Sequence, residues 1–417
     1  MKKELKYILI IILFFILNTK GQIDSNYHQE MEIKTELNIV SDDISNNFIN
    51  TMLYGGFITN EMKEQWINEG DETNKLHIEL INNIEYKHIK KNHSYYIDIS
   101  DKNIIDSRFN DDLLRIIFQG NTEYQDETLN FDNTNIRINR FQQLKIGYNQ
   151  NLKWKDHRVN IGTALSYING NHHISYIIKK GSLYTSPLGQ SLDINYDMEA
   201  LITDTSHFSL FQSNGKGFAL DINLSYLIKD QDNISLKIQD FGVINWNKNS
   251  IIASTDSNFI FEGIEINNIL EFNDSINTIS LNDLYNSQNM NFRSFIPANI
   301  SISYNKILQN KIFNNIYIKT EKRWHPLHTN DEFQNNISRG FQESNYGTSL
   351  SVSTKINAKY LFLDPEISKG GYDNKIHYNL SISKGNKLSF KMGLYHIETL
   401  FQDMSYITGF LKILYKF

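Results

Sequence analysis

The sequence predicts an all-β chain: a transmembrane, antiparallel, up-and-down β-barrel of about 14 strands, with short helices near its N-terminus. Three observations predict it. Apolar residues recur with a period of two along many segments, no apolar run after residue 21 is long enough to span a bilayer as a helix, and the last segment is amphipathic and ends in Phe417. A chain that enters a membrane without apolar helices must close into a barrel, because open sheet edges leave peptide groups unsatisfied in lipid.

Composition narrows the function classes. Of the 417 residues, 40% are apolar and 12% aromatic, too rich in core-forming side chains for intrinsic disorder. There is no cysteine, which excludes disulfide scaffolds, zinc-thiolate and iron-sulfur sites, cysteine nucleophiles and lipidation at cysteine. The formal net charge is −6 and no basic stripe occurs, so a nucleic-acid partner is not expected.

The elements follow in order. Lys2, Lys3 and Lys6 precede an apolar run from Tyr7 to Leu17, with Thr19 and Gly21 behind it. That is the pattern of a signal peptide over residues 1–21, cleaved before Gln22. Ile44, Phe48, Ile49, Met52 and Leu53 recur at helical spacing, and Glu61 to Glu69 reads as a second short amphipathic helix around Trp66. These place an N-terminal helical plug or cap at residues 22–75 and the barrel at 76–417. Asp111 to Phe118 reads as a third helix, with Leu113, Leu114, Ile117 and Phe118 on its apolar side.

Strand alternation is clearest where Phe218, Leu220, Ile222, Leu224, Tyr226 and Ile228 interleave with Ala219, Asp221, Asn223 and Ser225. It returns from Val159 to Tyr167, in Ile234, Leu236 and Ile238, in Ile300, Ile302 and Tyr304, from Tyr346 to Val352, and from Ile376 to Ile382. Turn-like stretches such as Lys229 to Asn233 and Lys384 to Lys387 separate these runs. A secreted or periplasmic soluble β-sandwich, binding an envelope partner, alternates too and is the competing reading. Two features favour the barrel. The polar face is rich in Gly, Ser, Asn and Asp, as a crowded lumen requires, and the apolar face is bounded by aromatics that prefer a lipid-water boundary. The closing row Leu411, Ile413, Tyr415 and Phe417 has the form of a C-terminal signal for the outer-membrane assembly machinery.

The stretch Gly215 to Ser250, GKGFALDINLSYLIKDQDNISLKIQDFGVINWNKNS, resembles the signature of an uncharacterised family of outer-membrane barrels, a domain of unknown function in Gram-negative bacteria. YGGFITNEMKEQWI at Tyr54 to Ile67 supports it, as do Leu113 to Asn121 and the pair LKIGYNQNL and VNIGTALSYINGN between Gln143 and Asn171. Such barrels are distantly similar to FadL-type transporters of hydrophobic compounds and to accessory barrels of secretion systems. Members often carry an Asn-Pro-Ala stretch soon after the leader, which this chain lacks. The resemblance implies a fold and a location, and brings no catalytic residue with it.

Read as a hairpin, the signature crosses from Phe218 to Ile228, turns, and returns from Ile234. The alternation slips at Asp240 and Phe241, where Gly242 would permit a bulge, and Trp246 would then sit in an interfacial girdle. Asp221 and Asp240 would both face the lumen, since either is costly in lipid. His172-His173 and His325-Pro326-Leu327-His328 are the close histidine pairs, but adjacent strand residues point to opposite faces and no H-E-x-x-H pattern occurs. No metal or cofactor is therefore expected. G-x-S-x-G is absent as well. His377 and Ser381 share a strand face, the one arrangement here reminiscent of a barrel-wall hydrolase, and no enzymatic activity is expected. The expected role is an outer-membrane barrel that binds or passes a small compound, a hydrophobic one by the transporter resemblance, or that serves an envelope protein complex. Its expected partners are outer-membrane lipid and the assembly machinery.

Overall fold

The computed structural model describes residues 27–41, 47–48, 51, 55–70, 72–154, 157–204, 212–228, 232–261, 286–308, 310–324, 345–373, 375–400 and 406–417. The leader at 1–21 and the His325 to His328 segment lie outside them. Among the described residues fourteen antiparallel strands form one closed wall. They are β1 (Tyr27–Ser41), β2 (Asn74–Lys90), β3 (His93–Phe109), β4 (Thr134–Trp154), β5 (His157–Thr185), β6 (Gly215–Ile228) and β7 (Asp232–Trp246). There follow β8 (Ala298–Ile307), β9 (Asn315–Trp324), β10 (Ser349–Ser353), β11 (Leu361–Lys369), β12 (Ile376–Lys384), β13 (Leu388–Tyr395) and β14 (Tyr406–Lys416). Each pairs with the next, and β14 returns to β1 from Glu30↔Lys416 to Val40↔Tyr406, which leaves the wall without an edge and excludes the sandwich. No helix among the described residues is long and apolar enough to cross a membrane, as a barrel requires none.

The period of two decides which face each residue takes. Ile99, Ile146 and Leu165 point outward and are 56%, 60% and 61% exposed, and Leu350 and Met392 continue the same belt. So continuous an apolar exterior suits lipid and would be an aggregation liability in water. Between them, Asp98, Lys145 and Ser166 point inward and are buried.

β1 overturns the expected boundary at residue 76. Its outward row of Ile33, Leu37 and Ile39 is thin, and its inward row carries Lys34, Glu36 and Asn38, so the alternation is hard to see in sequence. Register with β2 from Tyr27↔Lys90 to Ser41↔Leu76 nonetheless makes it a full wall strand.

The two ends of the barrel differ. Phe417 donates its N–H to the Gln29 carbonyl at 2.9 Å, so both chain ends of the wall lie at one rim, where short links at 91–92, 155–156, 229–231 and 385–387 join the strands. Long connections gather at the other rim. There the upper half of β5 pairs with strand Leu192–Ile202, which pairs in turn with Ile251–Phe261 as an extension of the wall. The same rim carries α1 (Asn60–Glu69) and α2 (Asp111–Gln119). Thr59 caps α1 by accepting from the Met62 N–H at 3.3 Å. Trp66 of α1 packs against Phe118 of α2 and against Phe48, with ring centroids 5.4 and 5.0 Å apart. Phe48 belongs to the helix expected around Ile44 to Leu53, most of which lies outside the described residues.

Inside the wall, Ile104, Phe141, Ile168, Ile244 and Trp246 converge with Phe292 and Ile296 and fill one side of the lumen. Trp246 is therefore not in an interfacial girdle. It is 1% exposed, with its Nε1 donating to Ser294 Oγ at 2.7 Å. A Cβ at Gly170 or Gly215 would lie 2.7 or 2.6 Å from its ring, so only glycine leaves room for the indole. The inversion that brings Trp246 inward is a bulge between β6 and β7. There the register shifts between Leu220 and Ile222, and Asp240 itself, rather than Gly242, takes the left-handed conformation at φ +57°. The extra residue flips the pleat, so Ile238 and Phe241 both face out while Ile244 and Trp246 face in.

Candidate functional site

Opposite the apolar filling, the lumen holds a cavity of about 660 Å³ lined by inward residues of β1–β4, β8–β14 and the bulge. Nine carboxylates and five basic side chains line it, with His377 and His396. The sequence pattern of Gly, Ser, Asn and Asp understated this charge, because inward Lys and Glu are spaced singly among them on many strands.

Two ion networks organise the walls. Asp221 and Asp240 both line the cavity. Lys145 Nζ bridges them at 2.5 Å to Asp221 Oδ2 and 3.0 Å to Asp240 Oδ1. Lys102 Nζ holds the other Asp240 oxygen at 2.6 Å, and Gln143 Nε2 donates to Asp240 Oδ1 at 2.7 Å. The second network stands across the lumen on β2 and β9. Arg323 Nη1 pairs with Glu79 Oε2 at 3.0 Å, while Glu321 pairs with Lys319 and accepts from the Tyr346 hydroxyl at 2.8 Å. Other carboxylates meet amides instead of cations: Asp98 accepts from Asn83, and Glu366 accepts from Asn379 at 2.9 Å. Acidic groups thus outnumber basic ones around the cavity.

A third cluster lies at the rim of the long loops. His377, the second residue of β12, points inward with Nε2 2.8 Å from Asp373 Oδ1 and Nδ1 2.8 Å from Glu398 Oε1. His396 follows β13 and approaches the same Glu398 oxygen with Nδ1 at 3.5 Å. Burial, with His377 beside it, pushes the His396 imidazole down to about 4. The Glu398 carboxyl is held below its usual range by the Tyr378 N–H, which donates to Oε2 at 2.9 Å, and by other hydrogen bonds that outweigh burial.

Sequence reasoning did not bring His396 or Glu398 to His377. The signal was the hairpin: the β12–β13 register, Leu380↔Leu394 and Ser381↔Gly393, extends upward to set His377 level with the 396–398 segment. Ser381 Oγ donates instead to Asp364 Oδ2 at 3.2 Å and stands about 13 Å along the strand from His377. The two do not form a nucleophile-base pair. His172 and His173 are both buried on opposite faces, His173 with Nδ1 2.5 Å from Asn139 Oδ1 and its ring near Trp246. Leu411 faces out and is exposed, and Ile413, Tyr415 and Phe417 follow on the same face, the last two rings 4.7 Å apart.

A second recess of about 260 Å³ lies on the outer side of the wall beside the bulge, lined by Leu165, Phe218, Leu220, Phe241, Phe295 and Trp324.

A closed wall with an apolar exterior, a charged lumen, short links at one rim and long loops at the other defines a barrel of the outer-membrane type. Within that class, the chain belongs to a family of unknown function, DUF5723, whose model matches residues 34–392. No curated protein matches it. Among solved structures it is similar to the Pseudomonas putida toluene transporter TodX, at 7% identity over 94% of this chain and 89% of that one, with a TM-score of 0.41. A Pseudomonas aeruginosa FadL homologue gives 8% identity, coverage of 94% and 90%, and a TM-score of 0.39. The translocator domain of autotransporter NalP from Neisseria meningitidis gives 8%, coverage of 100% and 96%, and 0.34.

Proposed function

We propose that this protein is an outer-membrane barrel whose lumen binds or passes a small cationic, hydrogen-bonding compound. The observation that supports the reading is the excess of carboxylates around the 660 Å³ cavity, a volume suited to a small molecule. Low-dielectric walls of one sign focus field into a cleft and raise the local concentration of the opposite charge. In the membrane, the rim with the chain ends and short links faces the periplasm and the rim of long loops faces outward. The outward row Leu411, Ile413, Tyr415 and Phe417 on the closing strand is the surface offered to the assembly machinery.

A second reading rests on the outer recess beside the bulge, whose apolar lining suits a hydrophobic compound. One experiment separates them. Refolded protein in detergent is titrated with small cationic, anionic and neutral aromatic compounds, and heat-induced unfolding is followed on gels. Cations should stabilise the wild type and lose that effect in Asp98→Asn with Glu366→Gln. Stabilisation by neutral aromatics alone, abolished by Phe218→Ala, would replace the first reading with the second.

A further inference from the structure

The cluster at the long-loop rim has a composition that the lumen network does not explain. We propose that His377 Nδ1, His396 Nδ1 and Glu398 Oε1 bind one divalent transition-metal ion, zinc by the character of the set, which clasps the start of β12 to the segment after β13 at the mouth of the lumen. The three donor atoms all lie within 4.8 Å of one another. In tetrahedral zinc sites with bonds near 2.0 to 2.1 Å, neighbouring ligand atoms stand about 3.3 Å apart. The separations here, 2.8 Å from His377 to Glu398 and 3.5 Å from His396 to Glu398, bracket that value.

The tautomer points the same way. Asp373 Oδ1 is an acceptor, so His377 Nε2 carries the proton in their 2.8 Å contact. In a neutral ring that leaves the Nδ1 lone pair aimed at a carboxylate oxygen, and two lone pairs at 2.8 Å need a positive centre on them, a proton or a metal ion. A proton would satisfy that pair alone. The third donor, His396, is brought to the same oxygen at a backbone cost, since it sits at φ +59°, a region a non-glycine residue seldom takes. Its N–H is fixed by Asn379 Oδ1 at 2.9 Å and the remaining Glu398 oxygen by the Tyr378 N–H, so each donor is held from behind.

Asp373 acts as a positioning residue. A carboxylate on the far nitrogen of a ligating histidine fixes ring orientation and raises basicity, as in carboxylate-histidine-zinc triads. The set of two imidazoles and one carboxylate, without thiolate, is that of open zinc sites, in which water or a bound molecule takes the fourth position. His377 and His396 both line the lumen cavity, so that position faces it. The inference does not rest on which compound the lumen takes.

The test uses the whole chain, refolded in detergent, stripped with a chelator and titrated with Zn²⁺ by calorimetry, with metal content measured after dialysis. One ion per chain is expected. Affinity should fall at least 10-fold in His396→Ala and in Glu398→Gln, and about 10- to 100-fold in Asp373→Asn with the stoichiometry unchanged. Each variant is first shown to keep its heat-modifiable gel mobility. Should a variant fail that check, Co²⁺ added to the wild type decides, because tetrahedral nitrogen and oxygen ligation gives intense visible absorption. Absence of that absorption, wild-type affinity in the folded variants, or no Zn²⁺ retained by the wild type would each overturn the site.

Discussion

Asp221 ties the two halves of the bulge together: one carboxylate oxygen accepts the backbone N–H of Asp240 at 2.7 Å, and the other holds Lys145 Nζ at 2.5 Å. Asp240 is the extra residue that inverts β7, so the group that satisfies its N–H also fixes which residues beyond it face the lumen. Asp221→Ala leaves that N–H without its acceptor and Lys145 with Asp240 alone. A loss of about 2 to 3 kcal/mol is expected. Asp221→Asn keeps an acceptor for the N–H and should cost about half as much. Urea unfolding of the detergent-refolded protein measures both, and equal losses would mean that charge, not the backbone hydrogen bond, pins the register.

The outward assignment of β6 predicts a sharp asymmetry between neighbours. Leu224 faces out and is 40% exposed, whereas Ser225 faces in. Leu224→Arg should cost roughly 2 to 4 kcal/mol near the bilayer midplane, while Ser225→Arg, beside a polar lumen, should cost under about 1 kcal/mol. Folding into lipid vesicles, read as the fraction of heat-shifted band, tests the pair. Wild-type assembly of Leu224→Arg would show that this face does not meet lipid.

Trp246 and its glycines predict a non-additive pair. Gly170→Ala places a methyl within 2.7 Å of the indole and should cost about 1 to 3 kcal/mol through overpacking. Combining it with Trp246→Phe, which shortens the ring that is struck, should recover much of that loss. A double-mutant cycle on unfolding midpoints reads the coupling, and simple additivity would mean the methyl is accommodated elsewhere.

These residues also show which parts of the fold were legible in sequence. β6 and the first half of β7 were plain because apolar Phe218 to Ile228 alternates with small or acidic residues over a whole crossing. β1 was hidden because its inward row of Lys34, Glu36 and Asn38 looks like a solvated surface unless the lumen is known to be charged. The slip at Asp240 was visible as a break in alternation. Its consequence for Trp246 was not, since whether a bulge turns later residues in or out depends on which strand carries the extra residue. His377, His396 and Glu398 meet only through the β12–β13 register, and pairwise spacing along the chain does not carry that information.

The aromatic contact at the long-loop rim gives a test of how the cap is held. Trp66 is 3% exposed and packs on Phe48 and Phe118, so it clips the segment between β1 and β2 onto α2. Beside it, Ile67 and Leu114 pack on Ile39 of β1 and Phe109 of β3, and those contacts do not involve the indole. Trp66→Ala should therefore remove about 3 to 5 kcal/mol of local packing while the fourteen-strand wall stays closed. Limited proteolysis of the folded protein should then cut within residues 42–73 many times faster than in the wild type, with heat-modifiable mobility unchanged. Equal cleavage rates would show that α1 is held mainly by the packing of Ile67 on Ile39 and Phe109. Loss of the heat shift would show that the cap is part of the barrel's own stability.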